Sequence, residues 1–288
     1  MSRRIHSIRG NDQKLDGGAM FGNAPKALWE RWAPADEHNR IDLATRALLL
    51  HDDDRVILFE AGVGAWLSPR LRQRYGVQGD KNRLLASLDA YGLTHADIQL
   101  VVLSHLHFDH AGGLLSDWHP DSAPTLLFPN ATFLVSRKHW QRAIHPHPRD
   151  QASFVPELQE QLHASGRLEL VDGDTHPALG PGFRFHYSDG HTPGMMLTEI
   201  EGERGPVVFG GDLVPGRAWV HGSISMGYDR YPELLLDEKR ALLEYLASCH
   251  GRLFYTHDPT TALSHVTLDE QGRFGSPNDK SSVRGVLV

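Results

Sequence analysis

The run Ser104-His105-Leu106-His107-Phe108-Asp109-His110 holds three imidazoles and a carboxylate within a few residues. Residues i and i+2 of an extended backbone point the same way, so His105 and His107 can share a face. A turn after Phe108 would present Asp109 and His110 as a second pair, and Gly112-Gly113 lets the chain bend there without steric cost. Neutral imidazole and carboxylate are donors suited to zinc, iron, cobalt or manganese. The chain carries 19 histidines, so isolated pairs arise by chance. Four ligand-type side chains at the end of one apolar run read instead as a metal site.

The element that must position them is Gln99-Leu100-Val101-Val102-Leu103, an apolar, β-branched run with the character of a buried strand. Its carboxyl end is where α/β folds place their sites. Three more ligand-type residues follow apolar strand candidates in the same way: His191 after 183–187, Asp212 after 206–209 and His257 after 252–256. Together the two sets supply five His and two Asp. That suits two metals with three ligands each and a bridging carboxylate, a pair that sits about 3.5–4 Å apart and can activate water against an ester-type centre.

The formal net charge is −7 and no block of Lys and Arg is present, which argues against nucleic acid as a partner. Hydrophobic residues make up 40% of the 288, enough for a sizeable core, and no run approaches the roughly 20 apolar residues of a membrane span. The start, Met1-Ser2-Arg3-Arg4-Ile5-His6-Ser7, has basic residues without an apolar stretch behind them, so a cytoplasmic location is expected. Cys249 is the single cysteine; it excludes an internal disulfide and is expected to be a buried thiol near a helix end.

Along the chain, residues 1–40 read as irregular. Within them Asp16-Gly17-Gly18-Ala19-Met20-Phe21-Gly22, with Trp29 and Trp32, forms a glycine-hinged loop that either lids an apolar ligand or packs onto the body. Strands are expected at 45–50 and 55–60 around the polar turn His51-Asp52-Asp53-Asp54, and helices at 69–75 and 82–91. Further on come a strand at 131–136, a helical turn at 137–143, a helix at 154–165, strands at 167–171 and 195–201, and a long helix at 232–250. His145 and His147, among prolines, are expected in an exposed loop, and His139 at the surface. Strand groups alternating with helices occur twice, which fits an α/β architecture in one domain over 1–288 with 1–40 as a loop over the pocket.

The seven positions His105, His107, Asp109, His110, His191, Asp212 and His257 resemble the metallo-β-lactamase-fold superfamily of hydrolases, over residues 43–257. The resemblance implies an αβ/βα sandwich of two mixed sheets flanked by helices, with two divalent metals, zinc first, at one edge. It implies that His105, His107 and His191 hold one metal, that Asp109, His110 and His257 hold the other, and that Asp212 bridges them. A cysteine-containing zinc β-lactamase site and the di-iron branch, with glutamate at the position of His107, do not match; thiolester hydrolases share all seven ligands.

Within the superfamily the amino-terminal Asp16–Gly22 run, Pro25-Lys26, Trp29, Gly190-His191-Thr192-Pro193-Gly194 and Met226-Gly227-Tyr228-Asp229 are similar to the quorum-quenching N-acyl-homoserine lactonases. That likeness implies lactone-ring opening, with Met20, Phe21 and Trp29 shaping an acyl-chain pocket, Asp109 handling the proton passed to the leaving alkoxide, and a possible homodimer. One position departs: the best-known lactonases carry a carbonyl-contacting tyrosine three residues after the bridging aspartate, and here that residue is Pro215. Tyr228 or His221 would then donate instead, or the substrate differs. Aryl-ester, phosphotriester and thiolester hydrolysis on the same core, and a signal-binding effector without turnover, are the competing readings.

Overall fold

The computed structural model describes residues 3–288; Met1 and Ser2, which open the stretch read above for a leader, lie outside the described residues. Two mixed sheets face each other. The larger has seven strands in the spatial order Arg284–Leu287, Arg3–Arg9, Arg46–Asp52, Arg55–Phe59, Leu100–Val102, Thr132–Ser136 and Leu168–Val171. The smaller runs Leu263–His265, Arg252–Phe254, Val207–Phe209, Met195–Ile200, Phe183–Ser188.

Alternation along the strands builds the layers. Leu48, Leu50, Leu100 and Val102 point into the space between the sheets, where they meet Met196, Phe209 and Phe254. Their sequence neighbours Ala47, Leu49 and Val101 point outward and are covered by Leu84 and Leu88 of the helix Arg83–Asp89 and by Leu158 and Leu162 of Pro156–Ala164. On the far side Leu197, Val208 and Leu253 are covered by Leu235, Leu242, Leu243 and Leu246 of the helix Pro232–Ser248. Period-2 strands and period-3.6 helices thus produce an αβ/βα sandwich.

Residues 3–40, the described part of the stretch expected to be irregular, carry regular elements instead. Arg3–Arg9 is a strand paired along its whole length with Arg46–Asp52, and Gln13–Asp16 forms a hairpin with Arg40–Leu43. Arginine and histidine around Ile5 and Ile8 hide the strand's apolar pattern, and the tertiary pairing outweighs local propensity. The glycine-rich run is a short helix, Gly17–Phe21, whose N-cap Asp16 accepts from Ala19 N at 2.7 Å. Gly17 is required for packing, because a Cβ there would stand 2.5 Å from the Trp29 ring. The strand expected to stop at Leu50 continues through Asp52, whose carboxylate takes Arg3 Nε at 2.8 Å and also pairs with Arg55. Cys249 caps the long helix and is only half-buried rather than buried.

Candidate metal centre

Four strand ends on both sheets converge at one edge. Leu100–Val102 leads to His105 and His107, and the four-residue helix Phe108–Ala111 carries Asp109 and His110. Phe183–Ser188, Val207–Phe209 and Arg252–Phe254 lead to His191, Asp212 and His257. The side chains of all seven are buried or nearly so.

They fall into two triads. His105, His107 and His191 bring one ligand atom each into a common cluster, with His191 Nε2 3.2 Å from His107 Nδ1. Asp109, His110 and His257 form the other, with His257 Nε2 3.1 Å from His110 Nε2 and 3.6 Å from Asp109 Oδ2. Asp212 lies between them. Its Oδ1 is 3.3 Å from both His110 Nε2 and His257 Nε2, and its Oδ2 is 3.2 Å from His191 Nε2.

Outer contacts set which nitrogen faces inward in four of the five rings. His110 Nδ1 meets Glu60 Oε2 at 2.6 Å, His191 Nδ1 meets Asp229 Oδ1 at 2.9 Å, and His257 Nδ1 meets the Ala44 carbonyl at 2.7 Å. A proton held on Nδ1 by these acceptors leaves the Nε2 lone pair pointing inward, as metal-binding histidines are usually arranged. Ser104 Oγ plays the corresponding part for His105 Nδ1 at 2.9 Å. Glu60, His105 and His110 also lie close enough to form a donor set. Both Glu60 oxygens are already engaged, one by His110 and the other by Ser104 N at 2.7 Å, so Glu60 orients rather than ligates. Glu60 sits at φ 68°, a left-handed backbone that non-glycine residues seldom adopt.

His105 Nε2, His107 Nε2 and Asp212 Oδ1 are buried without a hydrogen-bond partner among the described residues. Leaving such atoms unmet costs about 1–3 kcal/mol each. Five imidazoles and two carboxylates, with His105 Nε2 and Asp212 Oδ1 left without a hydrogen bond inside the cluster, fit a pair of divalent ions.

Charge divides the triads. Burial, then the neighbouring imidazoles, pushes His105 and His107 well below the ordinary imidazole range. Burial acts the same way on His110, but the carboxylates of Asp212, Glu60 and Asp109 outweigh it and hold that ring well above its ordinary value. His257 is likewise raised, with burial opposed chiefly by Asp212. Burial acts to raise Asp212, but His110, His257 and His191 hold it well below the usual carboxylate range.

His139 was expected at the surface and is instead fully buried. Its Nε2 accepts from Leu106 N at 2.8 Å, and its Nδ1 donates to the Pro193 carbonyl at 3.1 Å. It therefore ties the loop between His105 and His107 to the loop after His191. Burial lowers it to about 3, so it stays neutral. His145 and His147 lie in an exposed loop, as the prolines imply.

Met20, Phe21 and Trp29 come together but are spent on packing, exposing 2%, 0% and 1%. Phe21 stacks between Trp29 at 5.3 Å and Trp219 at 4.6 Å. Tyr228 is 38% exposed at the rim, its phenol pushed up to about 12 by burial, then by Asp109 and Asp16. His221 is exposed beside Trp32, with Nδ1 3.2 Å from Ser223 Oγ. Pro215 offers only its carbonyl, which accepts from His257 N at 2.8 Å. A cavity of about 620 Å³ opens beside Trp32, Leu43, Trp219, His221 and Asp258. The larger cleft, about 860 Å³, lies at Arg3, Arg4 and Arg252, where the strand Arg252–Phe254 begins, and none of the seven ligands lines it.

Glu60, Asp229, Gln13 and His139 escaped sequence reading as site residues. Asp229 had a signal, since it closes the Met226-Gly227-Tyr228-Asp229 run. The others had none beyond their residue type.

The metallo-beta-lactamase superfamily model matches residues 40–257, and the chain belongs to that superfamily. Among curated relatives, an N-acyl homoserine lactonase of Bacillus thuringiensis is 26% identical over 181 residues, 62% of this chain and 63% of its own length. The chain thus spans a little under two thirds of that relative. An N-acyl homoserine lactonase of a Bacillus species is 26% identical over 229 residues, 76% of this chain and 82% of the relative. Among solved structures, a protein described as a probable metal-dependent hydrolase from Staphylococcus aureus superposes with a TM-score of 0.86 at 30% identity, covering 99% of this chain and 98% of that one. AidC, described as a dizinc quorum-quenching lactonase in complex with a product, superposes at 0.74 with 22% identity, covering 95% and 93%, which speaks to fold alone.

Proposed function

We propose that this chain is a dinuclear metal-dependent hydrolase of ester bonds that opens lactone rings, N-acyl-homoserine lactones foremost. The observation that carries the reading is the pair of buried triads sharing the two oxygens of Asp212. The names of the lactonase relatives support the substrate class.

Two divalent ions, zinc first, held by His105, His107, His191 and by Asp109, His110, His257 with Asp212 between, would supply a water acidic enough to attack at neutral pH and would polarise the carbonyl. The protein's own groups do the rest. Asp212 remains ionised, and His105 and His107 remain neutral, so these three ligands need no deprotonation before use. Asp109, 9% exposed, takes the proton that must reach the leaving alkoxide. Tyr228, its phenol pushed up to about 12 by burial and then by Asp109, keeps its proton at neutral pH, so it donates a hydrogen bond to the developing oxyanion in place of the tyrosine that Pro215 cannot supply. His221, farther out on the rim beside the apolar cavity, contacts the acyl part of the substrate. In this reading Met20, Phe21 and Trp29 stiffen the wall behind that cavity rather than line it.

The test is proton release on adding short- and long-chain N-acyl-homoserine lactones to metal-reconstituted protein, with a chelated control. A phosphotriester and a thiolester run alongside. Metal-dependent acid release from the lactones supports the reading. Release only from the phosphotriester or thiolester moves the chain to that substrate class, and recovery of intact bound lactone makes it a binding protein.

A further inference from the structure

The two triads are held from different parts of the chain. The outer contacts of the first come from Ser104, from Asp229 and, through the loops, from His139. Those of the second come from Glu60 to His110, from Ala44 to His257 and from Gln13 to Asp109. The last two both belong to the amino-terminal hairpin and the residue that follows it. Gln13 is opposite Leu43 in that hairpin, and Ala44 comes next. Ala44 grips His257 twice, since its N–H donates to the His257 carbonyl at 3.1 Å and its own carbonyl takes the ring.

Asp109 depends most on this support. It sits on a helix of only four residues, and its oxygens are 3.6 and 3.9 Å from the nearest imidazole nitrogens of its triad. Gln13 Nε2, donating at 3.0 Å to Oδ2, is its only hydrogen-bond donor among the described residues. Gln13 is 1% exposed and is anchored by the Gln13–Asp16 pairing. The upstream turn is pinned as well, by Thr45 Oγ1 donating to the Asn11 carbonyl at 2.6 Å. A carboxylate can turn about its own bonds, and a donor fixed on Oδ2, the oxygen nearer His257, restricts that turning.

We infer that Gln13 is a positioning residue for the second metal position: by fixing the Asp109 carboxylate, it makes occupancy of the Asp109–His110–His257 triad depend on docking of the amino-terminal hairpin, while the first triad is independent of it. The inference rests on the two-triad metal reading and on nothing about the substrate.

The test uses the full chain and zinc alone. Gln13→Met keeps length and removes the donor; Gln13→Asn keeps the amide on a stem too short to reach, and serves should the first variant fold poorly. Lys14→Met is the control on the same hairpin, where the ammonium pairs with Asp42 at 2.8 Å and away from the centre. Zinc occupancy at each triad is read by anomalous diffraction from crystals equilibrated at graded zinc concentrations, with cobalt absorption in solution as a second readout. Zinc affinity at the second triad should fall about 10- to 100-fold in the Gln13 variants, the usual effect of losing an outer-shell partner. The first triad should be unchanged, as should both positions in Lys14→Met. Equal weakening of both triads, or of neither, overturns the inference. Absence of zinc from both triads in the wild-type chain would instead sink the metal reading beneath it.

Discussion

The two triads use similar side chains to opposite electrostatic ends. The first is all imidazole, two of its rings pushed well below their ordinary range by burial and by one another. The second sits among Asp109, Asp212 and Glu60, and its rings are raised despite burial. The second triad therefore binds protons more readily than His105 and His107 of the first. The lesson is that a pair of metal positions can be graded by what lies behind the ligands. Glu60 behind His110 adds a carboxylate to the second triad. Asp229 behind His191 is also engaged by Met226 N at 2.6 Å.

The largest effect should come from removing what the triads share. Asp212→Ala should release both ions and abolish turnover, read as metal content by elemental analysis; two ions and full activity in this variant would break the dinuclear account. Next is Tyr228→Phe, which tests whether Tyr228 donates to the developing oxyanion. It should lower kcat about 100-fold, the order lost with one oxyanion donor, with metal content unchanged. Separating the triads comes third. Asp229→Asn should weaken zinc at the first and Glu60→Gln at the second, each by about 10- to 100-fold, in competition titrations against a chelator. A matched loss at both positions from either variant would erase the distinction.

The smallest effect is the order of emptying with pH. A ring whose folded value is raised binds its proton at a higher pH than an ordinary imidazole, so protons compete with metal there first as pH falls. The second triad should therefore lose zinc at a higher pH than the first, read as two steps in zinc release against a fluorescent indicator. A single step, or the reverse order, would contradict the assignment of charge.

Much of the centre was legible because each ligand follows an apolar run at a strand end, and strand ends converge when a sandwich closes. His105, His107, Asp109 and His110 are local to one turn and His191, Asp212 and His257 repeat the same grammar. What lay behind them was not legible. Gln13 meets Asp109 across 96 residues, and Glu60 meets His110 across 50, so nothing local marks either. His139 looked like a surface histidine because its helix, Arg137–Ile144, is short and rich in charge; burial comes from the loops it bridges. The amino-terminal strand failed for a related reason, its two isoleucines being screened by Arg3, Arg4, His6 and Arg9 until pairing partners arrive. Met20, Phe21 and Trp29 were legible as an apolar group, but only the packing against Trp219 reveals that they face the core.

The most direct measurement is anomalous diffraction at the zinc edge from crystals of the zinc-loaded chain. Two peaks about 3.5–4 Å apart are expected, one within each triad, with the carboxylate of Asp212 between them. A single peak, or two with Asp212 turned to only one of them, would contradict the dinuclear reading.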